Sequence, residues 1–189
     1  EKIRYYDEYV KDEKYVNDTI FTHFGEHFNE LNGKTWGIIG LGAIGRRVAD
    51  IAKAFGAHVI YYSASGSAPQ EGYEQVYFDT LLTTSDIVSV HAPLNEYTKD
   101  LMDKEVFAKM KKTAIFLNLG RGPIVVEQDL CDALESGTIA AAGLDVLCKE
   151  PMSASNPLLK IKDSKKLIIT PHIAWASVEA RNRLMQIIV

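Results

Sequence analysis

The stretch Thr35-Trp36-Gly37-Ile38-Ile39-Gly40-Leu41-Gly42-Ala43-Ile44-Gly45 decides the fold. A short strand-forming run, Thr35–Ile39, enters a G-x-G-x-x-G loop, and the amphipathic stretch Ile44–Phe55 follows at once. In that strand-turn-helix context the three glycines serve different ends. Gly40 makes the tight turn, Gly42 lets the backbone approach a diphosphate, and Gly45 lets helix and strand pack closely. The diphosphate would sit on the N–H groups near Ala43 and Ile44, where the helix dipole favours negative charge.

From this unit outward, apolar runs alternate with helical stretches. Further strands are predicted at His58–Tyr62, Ile87–Val90, Ala114–Asn118, Ala140–Leu144 and Leu167–Ile169, and helices at Lys104–Met110, Glu127–Ser136 and Ser177–Ile188. Gly56 and Gly137 stand where helix C-caps belong. The runs are too apolar for a sheet with one wet face, so the expected fold class is α/β, a Rossmann-type doubly wound parallel sheet in three α/β/α layers. Before the sheet, Val16, Ile20, Phe24 and Phe28 recur every fourth residue and predict a helix with an aromatic stripe. That stripe would pack on the domain's own sheet, on another domain or on a second subunit.

With 47% hydrophobic and 24% charged residues among 189, and a net charge of −4, the composition is that of a globular domain without a basic face for nucleic acid. No apolar run is long enough for a membrane span, and no leader opens the chain. Cys131 and Cys148 form no Cys-x-x-Cys pair, which suits a reducing, cytoplasmic setting. The first residue, Glu1, and the uncapped stretch Arg181–Val189 read as cut ends of a longer protein. The expected division is a connecting helix and hinge over 1–32, a dinucleotide-binding domain over 33–175, and a truncated helix over 176–189 leading to an absent substrate domain.

Eighteen positions after Gly45 stands Ser63, where an acidic residue normally holds the adenosine ribose. Serine removes the charge that would repel a 2′-phosphate, yet no arginine or lysine lies in Ser63–Gly72 to attract one. NAD is therefore the expected cofactor, with NADP still open.

Four more segments, His91-Ala92-Pro93-Leu94, Asn118-Leu119-Gly120-Arg121-Gly122, Gly143-Leu144-Asp145-Val146 running to Glu150-Pro151, and Pro171-His172-Ile173-Ala174, fall at strand ends in one order. Together with the glycine loop they resemble the D-2-hydroxyacid dehydrogenases over nearly the whole chain from Leu31. The resemblance implies interconversion of a 2-keto acid and a D-2-hydroxy acid, with Arg121 binding substrate, His172 exchanging the proton and Glu150 orienting His172. It also implies that Asp145 lies near the nicotinamide carboxamide, that Ala92, Leu119, Gly120 and Trp175 line the cofactor, and that the chain pairs as a homodimer. Two alternatives are a dinucleotide-sensing binding protein of the corepressor type on the same scaffold and a methyltransferase with a similar loop.

Other groups read as ordinary surface or core. His23 and His27 lie one helical turn apart without a third metal ligand, so no metal is expected. Ser85-Asp86 reads as a strand start, and Lys109, Lys111 and Lys112 as a solvated helix end. Cys148 stands between Asp145 and Glu150 with nothing to lower its pKa.

Overall fold

The computed structural model describes residues 2–188, which fall into two compact units, one ending at Leu31 and the other beginning at Asn32. The second unit is built on a seven-stranded sheet: β1 (Thr35–Ile39), β2 (His58–Tyr62), β3 (Glu74–Gln75), β4 (Ile87–Val90), β5 (Ile115–Asn118), β6 (Ala141–Leu144) and β7 (Leu167–Ile169). The strands are all parallel, in the order β3-β2-β1-β4-β5-β6-β7. The chain reverses its direction of travel across the sheet between β1 and β4, and a doubly wound sheet binds ligands at that switch, beyond the strands' carboxyl ends. The α/β fold class is as expected from the sequence.

Every residue of β4 is buried, as a strand covered on both faces must be. On one face α3 (Phe78–Thr84), α4 (Lys104–Lys109) and α5 (Glu127–Ser136) bring Leu81, Leu82, Phe107, Leu130 and Leu134 against Val88, Val90 and Phe116. The Phe107 and Phe116 rings meet edge to face, 5.4 Å apart. On the other face α2 (Ala43–Ala54) presents Ala49 and Ala52 to Ile38, Val59 and Tyr61. Small side chains let this helix approach closely. Gly137 closes α5 at φ 71°, and Gly56 follows α2 at φ 81°, the left-handed values a helix end favours. The last helix, α6 (Val178–Ile188), buries none of its residues.

The first unit departs from expectation. Val16, Ile20, Phe24 and Phe28 do not share a helix: α1 spans Ile3–Lys11, a 3-10 turn spans Lys14–Asn17, and the chain beyond it to Leu31 has no regular structure. The physical reason lies in the tyrosines. Tyr6 donates its hydroxyl to the Glu26 carbonyl (2.6 Å) and Tyr15 to the Phe21 carbonyl (2.6 Å), so those carbonyls serve tyrosine hydroxyls rather than a helical ladder. His23 stacks on Tyr9 with centroids 3.8 Å apart, and its Nε2 lies 2.9 Å from the Tyr5 hydroxyl, which makes it an aromatic-cluster residue rather than a metal ligand beside His27.

Smaller differences concern the lysine run and the strand start. Lys109 pairs with Asp79 (2.8 Å) and Lys111 with Asp86 (3.0 Å), so two of the three lysines hold neighbouring segments. Asp86 also accepts the Thr35 N–H (2.9 Å) and so ties the starts of β1 and β4, one residue before β4 begins.

Candidate active site

The glycine loop forms an anion cradle. Gly40 turns at φ 92°, and a Cβ there would lie 2.7 Å from the Ala92 backbone; at Gly45 it would strike the Gly40 carbonyl. A Cβ at Gly42, by contrast, would meet nothing of the chain within 4 Å. The space over the start of α2 is thus open to a ligand and would be narrowed by any side chain at Gly42. The first helical bond runs from Arg46 N–H to the Gly42 carbonyl (3.0 Å), and no side chain caps the helix. The N–H groups of Ala43, Ile44 and Gly45 therefore point past the helix end, an arrangement that favours an anion.

The switch point draws three strand ends together. Ala92, after β4, packs on Gly40; a Cβ at Gly120, after β5, would lie 3.0 Å from the Ala92 carbonyl. Leu119 and Trp175 are exposed, on the loops after β5 and β7. The buried Asn118 shapes its loop by accepting the Gly120 N–H (3.1 Å) and donating to the Arg121 carbonyl (3.0 Å). Arg121 is exposed on the loop after β5, and its Nη1 donates to the Gly120 carbonyl (2.8 Å). After β4, His91 is pushed down to about 4 by burial, leaving a neutral ring with Nε2 3.1 Å from Ser89 Oγ.

Asp145, at the end of β6, holds the loop after β7. Its carboxylate accepts the Thr170 hydroxyl (2.6 Å) and the N–H groups of Ile173 (2.9 Å) and Ala174 (2.9 Å). Burial alone would raise this carboxyl; the three hydrogen bonds outweigh it and hold it below the usual aspartate value. His172, in the middle of this loop, stands at φ 55°.

Glu150 meets His172 across the same crevice, with Oε2 2.7 Å from Nδ1. Its other oxygen accepts the Leu147 N–H at 2.8 Å. That backbone bond, more than the imidazole, keeps the Glu150 carboxyl below its ordinary range, so it is ionised and His172 Nδ1 is the donor. Nε2 is then the imidazole nitrogen that Glu150 leaves free of its own contact. The side chains keep 39% and 36% of their exposure, so the pair's electrostatics strengthen only when water is excluded. Beside the pair lies a cavity of about 750 Å³, lined by Met152, Leu158, Lys162 and Ile169 among others. Cys148 does not join them: burial, then the Glu127 charge, pushes its thiol up to about 11.

At the end of β2, Ser63 Oγ accepts the Ser67 N–H (3.1 Å) and lies 3.3 Å from Ser65 Oγ, closing a serine-rich turn. Ser63–Gly72 holds no cation of its own, but the fold supplies one from α2. Arg46 donates to Gln70 Oε1 (2.9 Å), while Gln70 Nε2 donates to the Leu41 carbonyl (2.9 Å). The signal in the sequence is adjacent: Arg46 follows Gly45 directly.

The family model described as D-isomer specific 2-hydroxyacid dehydrogenase, NAD binding domain, matches residues 1–174. A hydroxypyruvate reductase of Blautia hydrogenotrophica is 49% identical over 162 residues, which cover 85% of this chain and 49% of the relative. The structure of an Aquifex aeolicus D-lactate dehydrogenase complexed with NAD and lactic acid superimposes with TM-score 0.81 at 29% identity, over 94% of this chain and 58% of that one. An NADPH-dependent glyoxylate/hydroxypyruvate reductase of Sinorhizobium meliloti gives TM-score 0.81 at 28% identity, over 98% and 56%. The chain spans about half the length of the curated relatives it matches. No helix among the described residues is long and apolar enough to cross a membrane. With the glycine cradle at the switch point of a parallel sheet, these matches place the chain in the D-isomer specific 2-hydroxyacid dehydrogenase family, as its NAD-binding domain.

Proposed function

We propose that this domain serves an enzyme that reduces a small 2-keto acid to a D-2-hydroxy acid, and that Arg121, Glu150 and His172 carry its chemistry. The observation that supports this most is the 2.7 Å contact of Glu150 with His172 beyond the ends of β6 and β7, on the side of the sheet where Gly42 opens the diphosphate cradle. The dinucleotide, when bound, supplies the hydride chemistry. Arg121 holds the substrate carboxylate through its planar fork, and His172 donates the Nε2 proton to the carbonyl oxygen as it becomes an alkoxide. Glu150 keeps the imidazole oriented through the 2.7 Å contact with Nδ1. Gly40, Gly42, Ala43, Ile44 and Gly45 would hold the diphosphate of the cofactor and Ser63 its adenosine ribose, while Ala92, Leu119, Gly120, Asp145 and Trp175 would serve the nicotinamide end.

The substrate domain is proposed to lie outside this chain, joined through residues 1–32 and 176–189. Pairing as a homodimer is supported by large exposed apolar groups, with Phe21 90% and Phe24 75% exposed. A cytoplasmic setting accords with the two free cysteines. A sensing protein without turnover would have no need of a carboxylate on the imidazole, and the named relatives are reductases and dehydrogenases. The test is NADH oxidation by the intact protein with hydroxypyruvate, glyoxylate and pyruvate. His172→Gln should bind NADH normally and lose at least about 10²-fold in kcat. Glu150→Gln should lower kcat while leaving NADH binding unchanged, because the imidazole loses the contact that orients it. Full turnover by His172→Gln would overturn the assignment.

A further inference from the structure

We propose that Glu127 is a positioning residue whose carboxylate anchors the Leu147–Cys148 turn, and through it fixes Glu150 and the Arg121–Gly122 backbone relative to each other. The inference rests on the reading of Arg121, Glu150 and His172 given above. Glu127 opens α5, where an acidic residue ordinarily needs no explanation beyond the helix dipole. Here, however, both of its oxygens are taken by groups from distant segments. Oε1 accepts the Cys148 N–H (2.8 Å) and Oε2 accepts Asn156 Nδ2 (2.9 Å). Asn156 is buried and cannot turn its amide over, because its Oδ1 accepts the Leu158 N–H (3.0 Å).

The anchored turn touches both sides of the site. Leu147 donates its N–H to Glu150 Oε1 (2.8 Å), the bond that chiefly holds that carboxyl in its ionised form. On the other side, a Cβ at Gly122 would fall on the Leu147 carbonyl group and the Cys148 nitrogen, so the backbone carrying Arg121 lies directly on the turn. The charged groups that face Glu150 are His172 and Asp145, with Lys162 lining the same cavity. None of them holds the turn.

The experiment follows the Glu150 carboxyl by ¹³C NMR titration of the 189-residue chain, with NADH binding to the distant glycine loop as the check of folding. Glu127→Gln sets two amide NH₂ groups against each other at Asn156, so one bond is lost. The Glu150 midpoint should rise toward the ordinary glutamate value by about half a pH unit or more. Glu127→Asp keeps the charge but not the reach, and should shift Glu150 in the same direction. Pairing Glu127→Gln with Asn156→Asp exchanges donor for acceptor and should restore the midpoint. Unshifted Glu150 titration in either single variant, or no restoration in the double variant, overturns the positioning role even if Glu150→Gln abolishes turnover in the intact enzyme. Conversely, normal turnover by Glu150→Gln, together with a shifted Glu150 midpoint in the Glu127 variants, would remove the catalytic reading, and with it the site that Glu127 is proposed to position.

Discussion

His172 donates its backbone N–H to the Asp145 carbonyl at 2.8 Å while standing in the left-handed region at φ 55°. A non-glycine residue held there costs on the order of 1–3 kcal/mol and persists only where its surroundings fix it. Asp145 supplies that fixing with its carboxylate, through Thr170, Ile173 and Ala174. Asp145→Asn replaces one acceptor oxygen with a donor and should destabilise the chain by about 1–3 kcal/mol in urea unfolding near neutral pH. Because the folded carboxyl lies below its ordinary value, its contribution is complete above that value and is lost as pH falls through the folded one. The variant should therefore lack that part of the acid loss; stability equal to the parent's at pH 7 would contradict this account.

Arg46 should decide how well a 2′-phosphate is tolerated. Its guanidinium is tethered to Gln70 by one Nη1, which leaves other donors of the fork for an anion near the serine turn. Arg46→Ala is expected to weaken NADPH about tenfold, or 1.4 kcal/mol, and NADH less than about twofold. Fluorescence titration of both cofactors reads the ratio, and equal losses for the two would show that Arg46 acts on the shared diphosphate instead.

His91 gives the fold an acid limit. Burial lowers its value from 6.5 to about 4, so the neutral ring is favoured in the folded state. A depressed folded value means that stability is complete above pH 6.5 and declines as pH falls toward 4, by up to about 3 kcal/mol. His91→Gln should flatten the stability profile over that window. Unfolding midpoints measured from pH 7 to pH 4 test it; an equally steep decline in the variant would assign the acid loss to other groups.

Much of this was legible in the sequence, for identifiable reasons. The boundaries of β1, β2, β4 and β7 follow from apolar runs ended by glycine or polar residues, and β5 and β6 begin one residue later than expected. What escaped depends on tertiary contact. β3 is two residues, Glu74–Gln75, with no pattern of its own beyond its pairing with β2. In α3 three threonines argue against a helix, with Thr83 and Thr84 hydroxyls bonding back to carbonyls; the complete burial of Leu81 and Leu82 overrides that propensity. Conversely, the spacing of Val16, Ile20, Phe24 and Phe28 has a helical period, but tyrosine hydroxyls claim the carbonyls at Phe21 and Glu26. The residue types at Glu150 and His172 came from motif resemblance, whereas their 2.7 Å separation is a product of the fold.

The chain on its own should bind NADH yet turn over 2-keto acids below about 1 s⁻¹, under the usual range for an enzyme. Arg121 and the Glu150–His172 pair are open to water, and positioning a substrate in a closed site can supply roughly 7–11 kcal/mol of barrier reduction. Titration followed by an NADH oxidation assay with hydroxypyruvate and glyoxylate checks both halves. Rapid turnover would mean that these surfaces suffice without a second domain.

The strand order β3-β2-β1-β4-β5-β6-β7 has a consequence for how such a protein can be altered. Gly40, Arg46, Ser63 and Gln70 all come from the chain before β4, while Arg121, Glu127, Glu150 and His172 all come after it. The residues proposed for cofactor preference and those proposed for the chemistry therefore lie on separate stretches of the chain. A single recombination point in the crossover before Ile87 is expected to exchange the residues at the proposed adenosine end while leaving Arg121, Glu150 and His172 in place.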